Sequence, residues 1–430
     1  MVTISLLFRG WKNFRKNIKL NKMKKYNLLT YNEAVELTKL VDSPFIESKL
    51  IVDGYNVSAF NYRLAQYSDF LDNKAFEMRG LTFIFNEDGS LFKRHLLLQK
   101  FFNLNQVPDT QYSEVKDFAI KYINNKEDGS IASFVKLPNG KVVGKSKMSF
   151  ESDQAVGMNR IYRNNKDVRS FVDWTLDNDI VAIFEYVSPT NRIVLRYTDE
   201  ELILLRLRDN KNGYYLDIND YLDKLGSVKV AKFEDNKSLD ELIELAHTVE
   251  DKEGWIVQFE RDHLIDFLKI KTVWYCERHG LLTDDLYREN ILVGYILDDK
   301  IDDILGQIPE DEVEAHERIE KLIVVIKHAI SEKVKDILKS YDLFLAEGEG
   351  KDWVVDLRLQ LMRKSYSLKY GRKSHNFGYV MGMANGKDVY DLAIDWVRDN
   401  TKKLNIARDF LKERDPSLFF VDGPENEIED

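Results

Sequence analysis

Lys126-Glu127-Asp128-Gly129-Ser130 sets a lysine beside an Asp-Gly pair, with extended, apolar-rich sequence after it. Taken alone, Glu-Asp-Gly-Ser is a tight-turn signal, because Asp-Gly readily supplies positive φ angles. The chain contains its own control in Glu87-Asp88-Gly89-Ser90, the same four residues preceded by Asn86. The difference is the lysine. A lysine beside a surface turn is commonplace, so its weight depends on what surrounds it.

Residues 131–137, the turn Pro138-Asn139-Gly140 and residues 142–147 predict a hairpin directly downstream. The run from Gly140 to Gly144-Lys145-Ser146 imitates a phosphate-binding loop, but three residues separate its glycines where four are needed. A hairpin is also the wrong context, since such a loop must open a helix. Upstream, Glu77-Met78-Arg79-Gly80 leads into the strand-like 81–85, which returns through Asp88-Gly89. Lys100-Phe101-Phe102-Asn103-Leu104-Asn105 follows.

Thr30-Tyr31-Asn32-Glu33 is a capping box that opens an amphipathic helix. A helix over about 155–178, a second over 238–249, and strands at 181–187, 193–197, 202–207, 255–259 and 264–271 complete the first two thirds. This mixture predicts an α+β domain with antiparallel sheets. Beyond Leu281 strand signals fade, and Ile319, Leu322, Ile323, Ile326, Ile330, Val334 and Ile337 mark one long amphipathic helix. Further helices are expected near 353–362, 389–400 and 404–413. The expected division is a basic extension at 1–25, an α+β domain at 26–280 and a helical domain at 281–430.

At 430 residues the chain can bury more than one core. One cysteine, Cys276, excludes an internal disulfide framework and fits a reducing cytoplasm. No apolar run reaches bilayer-spanning length. The net charge of -10 argues against wholesale coating of nucleic acid, although a local basic channel remains open to it. The 7 histidines show no metal-type spacing.

Further charged positions have spacing that suits chemistry. In Leu268-Lys269-Ile270-Lys271, alternation puts both lysines on one strand face, and from these residues alone an ordinary exposed face accounts for them better than a site does. Lys147 ends the hairpin under the same two readings. Glu185 lies inside the apolar run 181–187, where a carboxylate is costly unless it is paired or bound to a metal. Glu253-Gly254 directly precedes the strand Trp255-Ile256-Val257, and a plain turn acid is its alternative.

In order along the chain these segments resemble the ATP-dependent RNA ligases of the phage T4 RNA ligase 1 type, within the covalent nucleotidyltransferases. The resemblance runs from about Tyr62 to Tyr275. It is carried by Glu77 to Gly80, Lys100 to Asn105, Lys126 to Ser130, Lys145-Ser146-Lys147, Phe184-Glu185-Tyr186-Val187 with residues 189–194, Glu253-Gly254, and Lys269-Ile270-Lys271 with Trp274-Tyr275. It implies that Lys126 is the adenylated nucleophile, with Asp128 and Gly129 shaping its loop and Tyr275 supporting it. It implies ATP contacts from Tyr62, Arg79, Lys100, Lys147, Glu185, Glu253, Lys269 and Lys271. Mg2+ would be held by Glu185 and Glu253, with Asp302 of the Asp302-Asp303 pair as a further ligand; a helix cap explains that pair as well. Met78 and Met148 depart from relatives without touching the chemistry.

The implied activity joins RNA 5′-phosphate and 3′-hydroxyl ends in RNA repair, with cleaved tRNA as a candidate substrate. The cytoplasm is the expected location, a host's were the chain phage-encoded, and no protein partner is implied. In the helical part, Arg363, Lys364, Lys369, Arg372 and Lys373 interleave with Tyr366, Tyr370 and Phe377, which suits phosphates and unstacked bases. Aromatics turned into a helical core would explain the pattern as well. The alternatives are another covalent nucleotidyltransferase, a DNA ligase or a capping enzyme, and a catalytically idle RNA-binding relative.

Overall fold

The computed structural model describes residue 26 and residues 28–418, apart from 192, 235–236, 260–266, 279–287, 307, 309–312, 352–354 and 372–375. The amino-terminal extension, the expected boundary at 280, Arg372 and Lys373 therefore lie outside the described residues. After the capped helix α1 (Tyr31–Thr38) come β1 (Phe45–Val52), β2 (Tyr55–Tyr62), β3 (Leu81–Phe85) and β4 (Leu91–His95). They form one antiparallel sheet in sequential order. Gly89 turns β3 into β4 with φ +81 and open space around it, so the control copy of the turn signal is a true hairpin.

The other sheets interleave along the chain. β5 (Phe102–Asn103), β6 (Ile120–Asn125), β13 (Gly254–Phe259) and β14 (Phe267–Lys271) assemble in the order β5-β14-β13-β6. β7 (Ser130–Lys136), β8 (Val142–Lys145), β9 (Ile180–Val187), β10 (Glu201–Asp209) and β11 (Tyr215–Leu216) run β11-β10-β9-β7-β8, with β12 (Lys229–Val230) on β10. Lys126 to Gly129 thus does not close a hairpin: it carries the chain from β6 in one sheet to β7 in another. Gly129 has to be glycine for room, since a Cβ there would lie 2.4 Å from the Tyr186 carbonyl oxygen.

Two sequence expectations need correction. The helix over 155–178 is two helices, α2 (Asp153–Asn164) and α3 (Lys166–Asp177). Asn165 leaves helical geometry at φ -104, ψ 111, and its side chain caps α3 through the Asp167 and Val168 amides. Residues 193–197 form no strand. The Val194 and Leu195 amides, which a strand would direct to a neighbour, donate instead to the Asp128 carboxylate at 2.8 and 2.7 Å.

The expected helix over 238–249 is α4 (Leu239–Thr248), which opens with a capping box from Ser238 to Glu241. After β14 the described elements are all helices: α5 (Val273–Arg278), α6 (Glu289–Leu297), α7 (Ile301–Leu305), α8 (Val313–Ala346), α9 (Val355–Tyr370), α10 (Phe377–Ala384), α11 (Val389–Thr401) and α12 (Leu404–Lys412). The apolar stripe of α8 packs with α6, α11 and α12 around Leu322, Ile326 and Ile330. The protein is thus an α+β assembly of mainly antiparallel sheets, in which β5 on β14 and β12 on β10 are the parallel pairs among the described residues, followed by a helical region. None of its described helices is long and apolar enough to cross a membrane.

Candidate active site

A cleft of about 540 Å³ gathers Tyr62, Arg79, Lys100, Lys126, Lys147, Glu185, Lys269 and Lys271. These are all but one of the positions singled out for nucleotide chemistry. The exception, Glu253, stands directly behind Lys126: Lys126 Nζ donates to Glu253 Oε1 at 2.6 Å, and Lys271 Nζ lies 3.4 Å from the same oxygen. The Lys126 amide donates to the Gly254 carbonyl at 2.9 Å, tying the lysine's backbone to the β13 start. Gly254 permits this because a Cβ there would lie 2.0 Å from the Ile270 carbonyl oxygen.

Asp128 faces away from the cleft. Its buried carboxylate accepts from the Val194 and Leu195 amides and from the Tyr275 hydroxyl, the last at 2.8 Å. It therefore staples the lysine loop to α5 and to the 193–197 segment. Arg79 is set by a buried ion pair two residues earlier, in which Arg208 clasps Glu77 through both terminal nitrogens at 2.9 and 2.5 Å. Arg208 also donates to the Gly213 and Leu97 carbonyls. Lys145 and Lys147 part company: Lys145 is fully buried and donates to the Gly80 and Lys147 carbonyls, while Lys147 enters the cleft over the Tyr62 ring.

Burial and crowding set the charges. Burial brings Lys269 down to about 7, helped by Lys100 and opposed by Asp303 and Asp302. Lys147 falls to about 8 through burial and then Arg79. Glu185, half-buried on β9, is pushed up to about 8 by burial, against the pull of Lys126 and with the push of Glu253. Lys100 and Lys271 lose charge stability by burial and regain more from carboxylates, ending above the ordinary lysine value.

Those carboxylates come from the helical region. Lys100 Nζ meets Asp302 at 2.6 Å and Lys271 Nζ meets Asp303 at 2.9 Å, so α7 closes one side of the cleft. Asp299, beside α7, also lines it. Among the described residues no three His, Cys, Asp or Glu side chains stand together as a preformed metal site. Glu253 Oε2 is nevertheless buried without a hydrogen-bond partner among the described residues, and the surroundings of Glu185 disfavour its charged form. Such an all-oxygen pair fits a hard cation that keeps substrate phosphates or water as its other ligands. Asp302, the further expected ligand, is paired with Lys100 instead.

The sequence reading missed Glu127, Asp299, Asn124 and Arg206, all of which line the cleft. Arg206 had a usable signal, being a charge inside an apolar strand as Glu185 is. Asp299 had none. In the helical region Tyr366 is buried, and Tyr370 and Phe377 pack around it. The aromatics therefore build the helical core and are not set out for bases. Arg363 donates to the Ala384 carbonyl and Asn385, Lys369 pairs with Glu347, and Lys364 is exposed.

Residues 77–275 match the family model described as RNA ligase. A protein of Thermovibrio ammonificans whose name proposes an RNA ligase is 27% identical over 274 residues, covering 62% of this chain and 70% of its own. Among solved structures, an archaeal ATP-dependent RNA ligase has a TM-score of 0.43 at 10% identity, covering 85% of this chain and 97% of its own. A Naegleria gruberi RNA ligase mutant with ATP and Mn has a TM-score of 0.32 at 12% identity, covering 55% of this chain and 94% of its own. These structural likenesses are distant, and the assignment rests on the sequence match. Over residues 77–275, which include the lysine loop, the chain is similar to the RNA ligase family of the T4 RNA ligase 1 type.

Proposed function

We propose that the protein is an ATP-dependent RNA ligase that works through AMP carried on Lys126, and that it joins RNA 5′-phosphate and 3′-hydroxyl ends. The observation that carries this is the convergence on one amine of groups far apart in sequence: Glu253 at 2.6 Å, Lys271 on the same carboxylate, and Arg79, Lys100, Lys147 and Lys269 along the same cleft. Lys126 Nζ attacks the α-phosphorus of ATP. Its bond to phosphorus forms as the bond to pyrophosphate breaks, and Glu253 Oε1 is placed to take the amine's proton. The cationic wall stabilises charge on the α-phosphate and the departing pyrophosphate.

AMP then passes to an RNA 5′-phosphate, freeing the lysine. An RNA 3′-hydroxyl finally attacks that phosphate and releases AMP. Glu185 and the free oxygen of Glu253 would hold Mg2+, which neutralises phosphate charge when bound. Asp128, Gly129 and Tyr275 hold the lysine loop in register throughout. The chain divides, on this reading, into the adenylating α+β unit and a helical unit that supplies RNA contacts. Arg363, Lys364 and Lys369 are the described candidates for those contacts, and cleaved tRNA is a candidate substrate. The helices after β14 favour an RNA ligase over a DNA ligase or a capping enzyme, in which a β-barrel would be expected at that place.

The test is incubation with α-labelled ATP and Mg2+. The wild-type protein should become labelled, Lys126→Ala should not, and label should move to 5′-phosphorylated RNA. An unlabelled wild-type protein, or sealing of nicked DNA alone, would overturn the reading.

A further inference from the structure

Lys145, the last residue of β8, is completely buried and stands opposite Ser133 of β7. Burial pulls its amine down to about 7, with no carboxylate among the described residues to hold it up. The buried His95 imidazole nearby brings no relief: it is itself pushed down by burial and by this amine, and it shares a hydrogen bond with Ser133 Oγ at 3.0 Å. A lone buried amine is costly, and an apolar side chain would fill the same space more cheaply. Nor does Lys145 meet substrate directly, for Ser146 and Lys147 line the cleft and Lys145 does not.

What Lys145 reaches is backbone. Its Nζ donates to the Gly80 and Lys147 carbonyls, each at 3.3 Å. Gly80 directly follows Arg79, so one amine ties together the two segments that bring Arg79 and Lys147 to the cleft. The segments already touch: Gly80 holds φ +80, and a Cβ there would lie 2.8 Å from the Lys147 carbonyl oxygen. Thr82 Oγ1 steadies the same Gly80 carbonyl at 3.1 Å. The need for a tie is electrostatic. After burial, Arg79 is the strongest influence lowering Lys147, so the two cations repel each other. Like charges on neighbouring loops spread apart unless their backbones are held. A lysine amine has hydrogens for both carbonyls whether it is charged or neutral, so the tie survives loss of its proton.

We propose that Lys145 is a positioning residue for adenylation: from behind the cleft it fixes the spacing of the Gly80 and Lys147 carbonyls and so keeps two mutually repelling cations, Arg79 and Lys147, converged on the polyphosphate of ATP. This rests on the nucleotide reading of the cleft. The residue serves activity at the expense of stability, since the fold alone would gain from an apolar side chain in its place.

The experiment compares the full chain with its Lys145→Met variant, which keeps an unbranched side chain and removes the donors. Single-turnover labelling of Lys126 at saturating α-labelled ATP should slow by about 10- to 100-fold, while Tm stays level or rises because a lone buried amine has left the interior. In the Lys126→Ala protein, calorimetry should show Lys145→Met weakening ATP binding by about tenfold. Where Arg79→Met and Lys147→Met are also present, the same change should cost less than about twofold, because no cation is left to place. Should Lys145→Met fold poorly, Lys145→Gln, which keeps an uncharged pair of donor hydrogens, should fold and label at an intermediate rate. Parental labelling and affinity in Lys145→Met overturn the proposal, as does a lowered Tm with the folded fraction fully active. So does an equal loss of affinity with and without the Arg79 and Lys147 side chains, the pattern of a general disturbance of the fold. Labelling of the wild-type protein separates the two claims: coupling among the three residues without labelling removes the ligase reading alone, and wild-type labelling matched by Lys145→Met removes the positioning role alone.

Discussion

Lys269 and Lys147, held down at about 7 and about 8 in the free protein, should make ATP binding a proton-uptake reaction if they face the polyphosphate as proposed. A triphosphate beside them favours their charged forms, so each is raised on binding, and each takes up the proton it lacked beforehand. At about pH 7.5 roughly three quarters of Lys269 and roughly one quarter of Lys147 are neutral, so saturation without metal should draw in about one proton. Uptake should fade toward zero near pH 6 and approach two near pH 9, provided the bound lysines stay charged there. Affinity follows the same sign: it is greatest at low pH and weakens as pH rises through the free lysines' values. Calorimetry of the Lys126→Ala protein, in EDTA and in buffers of differing ionisation enthalpy, reads the number directly. Lys269→Met should cut uptake at pH 7.5 to roughly one quarter of a proton. Mg2+ should act in the opposite direction, because an ion on Glu185, poised at about 8, expels that carboxyl's proton. Zero uptake across the range, or uptake unchanged by Lys269→Met, would refute the assignment of these lysines to the polyphosphate.

Glu77→Gln should destabilise the fold by about 3–5 kcal/mol, since it strands the buried Arg208 guanidinium. A fall in the urea midpoint checks it, and a loss under 1 kcal/mol would mean the pair is not closed in solution. Gly129→Ala should cost about 2–3 kcal/mol from the clash with the Tyr186 carbonyl. It should also cut Lys126 labelling more than tenfold, because displacement of the amine degrades attack geometry.

The α+β character and the helical C-terminal third were legible because period-two and helical patterns survive in a single sequence, whereas most of the charged cleft residues were legible through the resemblance of short ordered motifs to a known family. Segment 193–197 misled because apolar, β-prone residues there look strand-like, while their amides are claimed by Asp128, distant in sequence. Asn165 hid a break within a continuous apolar periodicity, since a capping side chain outweighs the local pattern. The aromatic residues of α9 could be placed only by knowing which helix covers them: Phe344 of α8 and Val380 of α10 take them inward. Arg206 was overlooked although the rule that chose Glu185 applies to it equally. A buried charge inside an apolar strand is informative for either sign.

The ties from α7 to Lys100 and Lys271 wire the two halves of the molecule into one thermodynamic cycle. On the proposed reading a triphosphate would compete with Asp302 and Asp303 for the same two ammonium groups, so filling the cleft would loosen the hold on α7. By reciprocity, any RNA that draws this helix outward must alter the affinity for nucleotide by the same factor that nucleotide alters the affinity for RNA. The order in which the two substrates arrive would then be written into a pair of carboxylates that belong to neither binding surface alone.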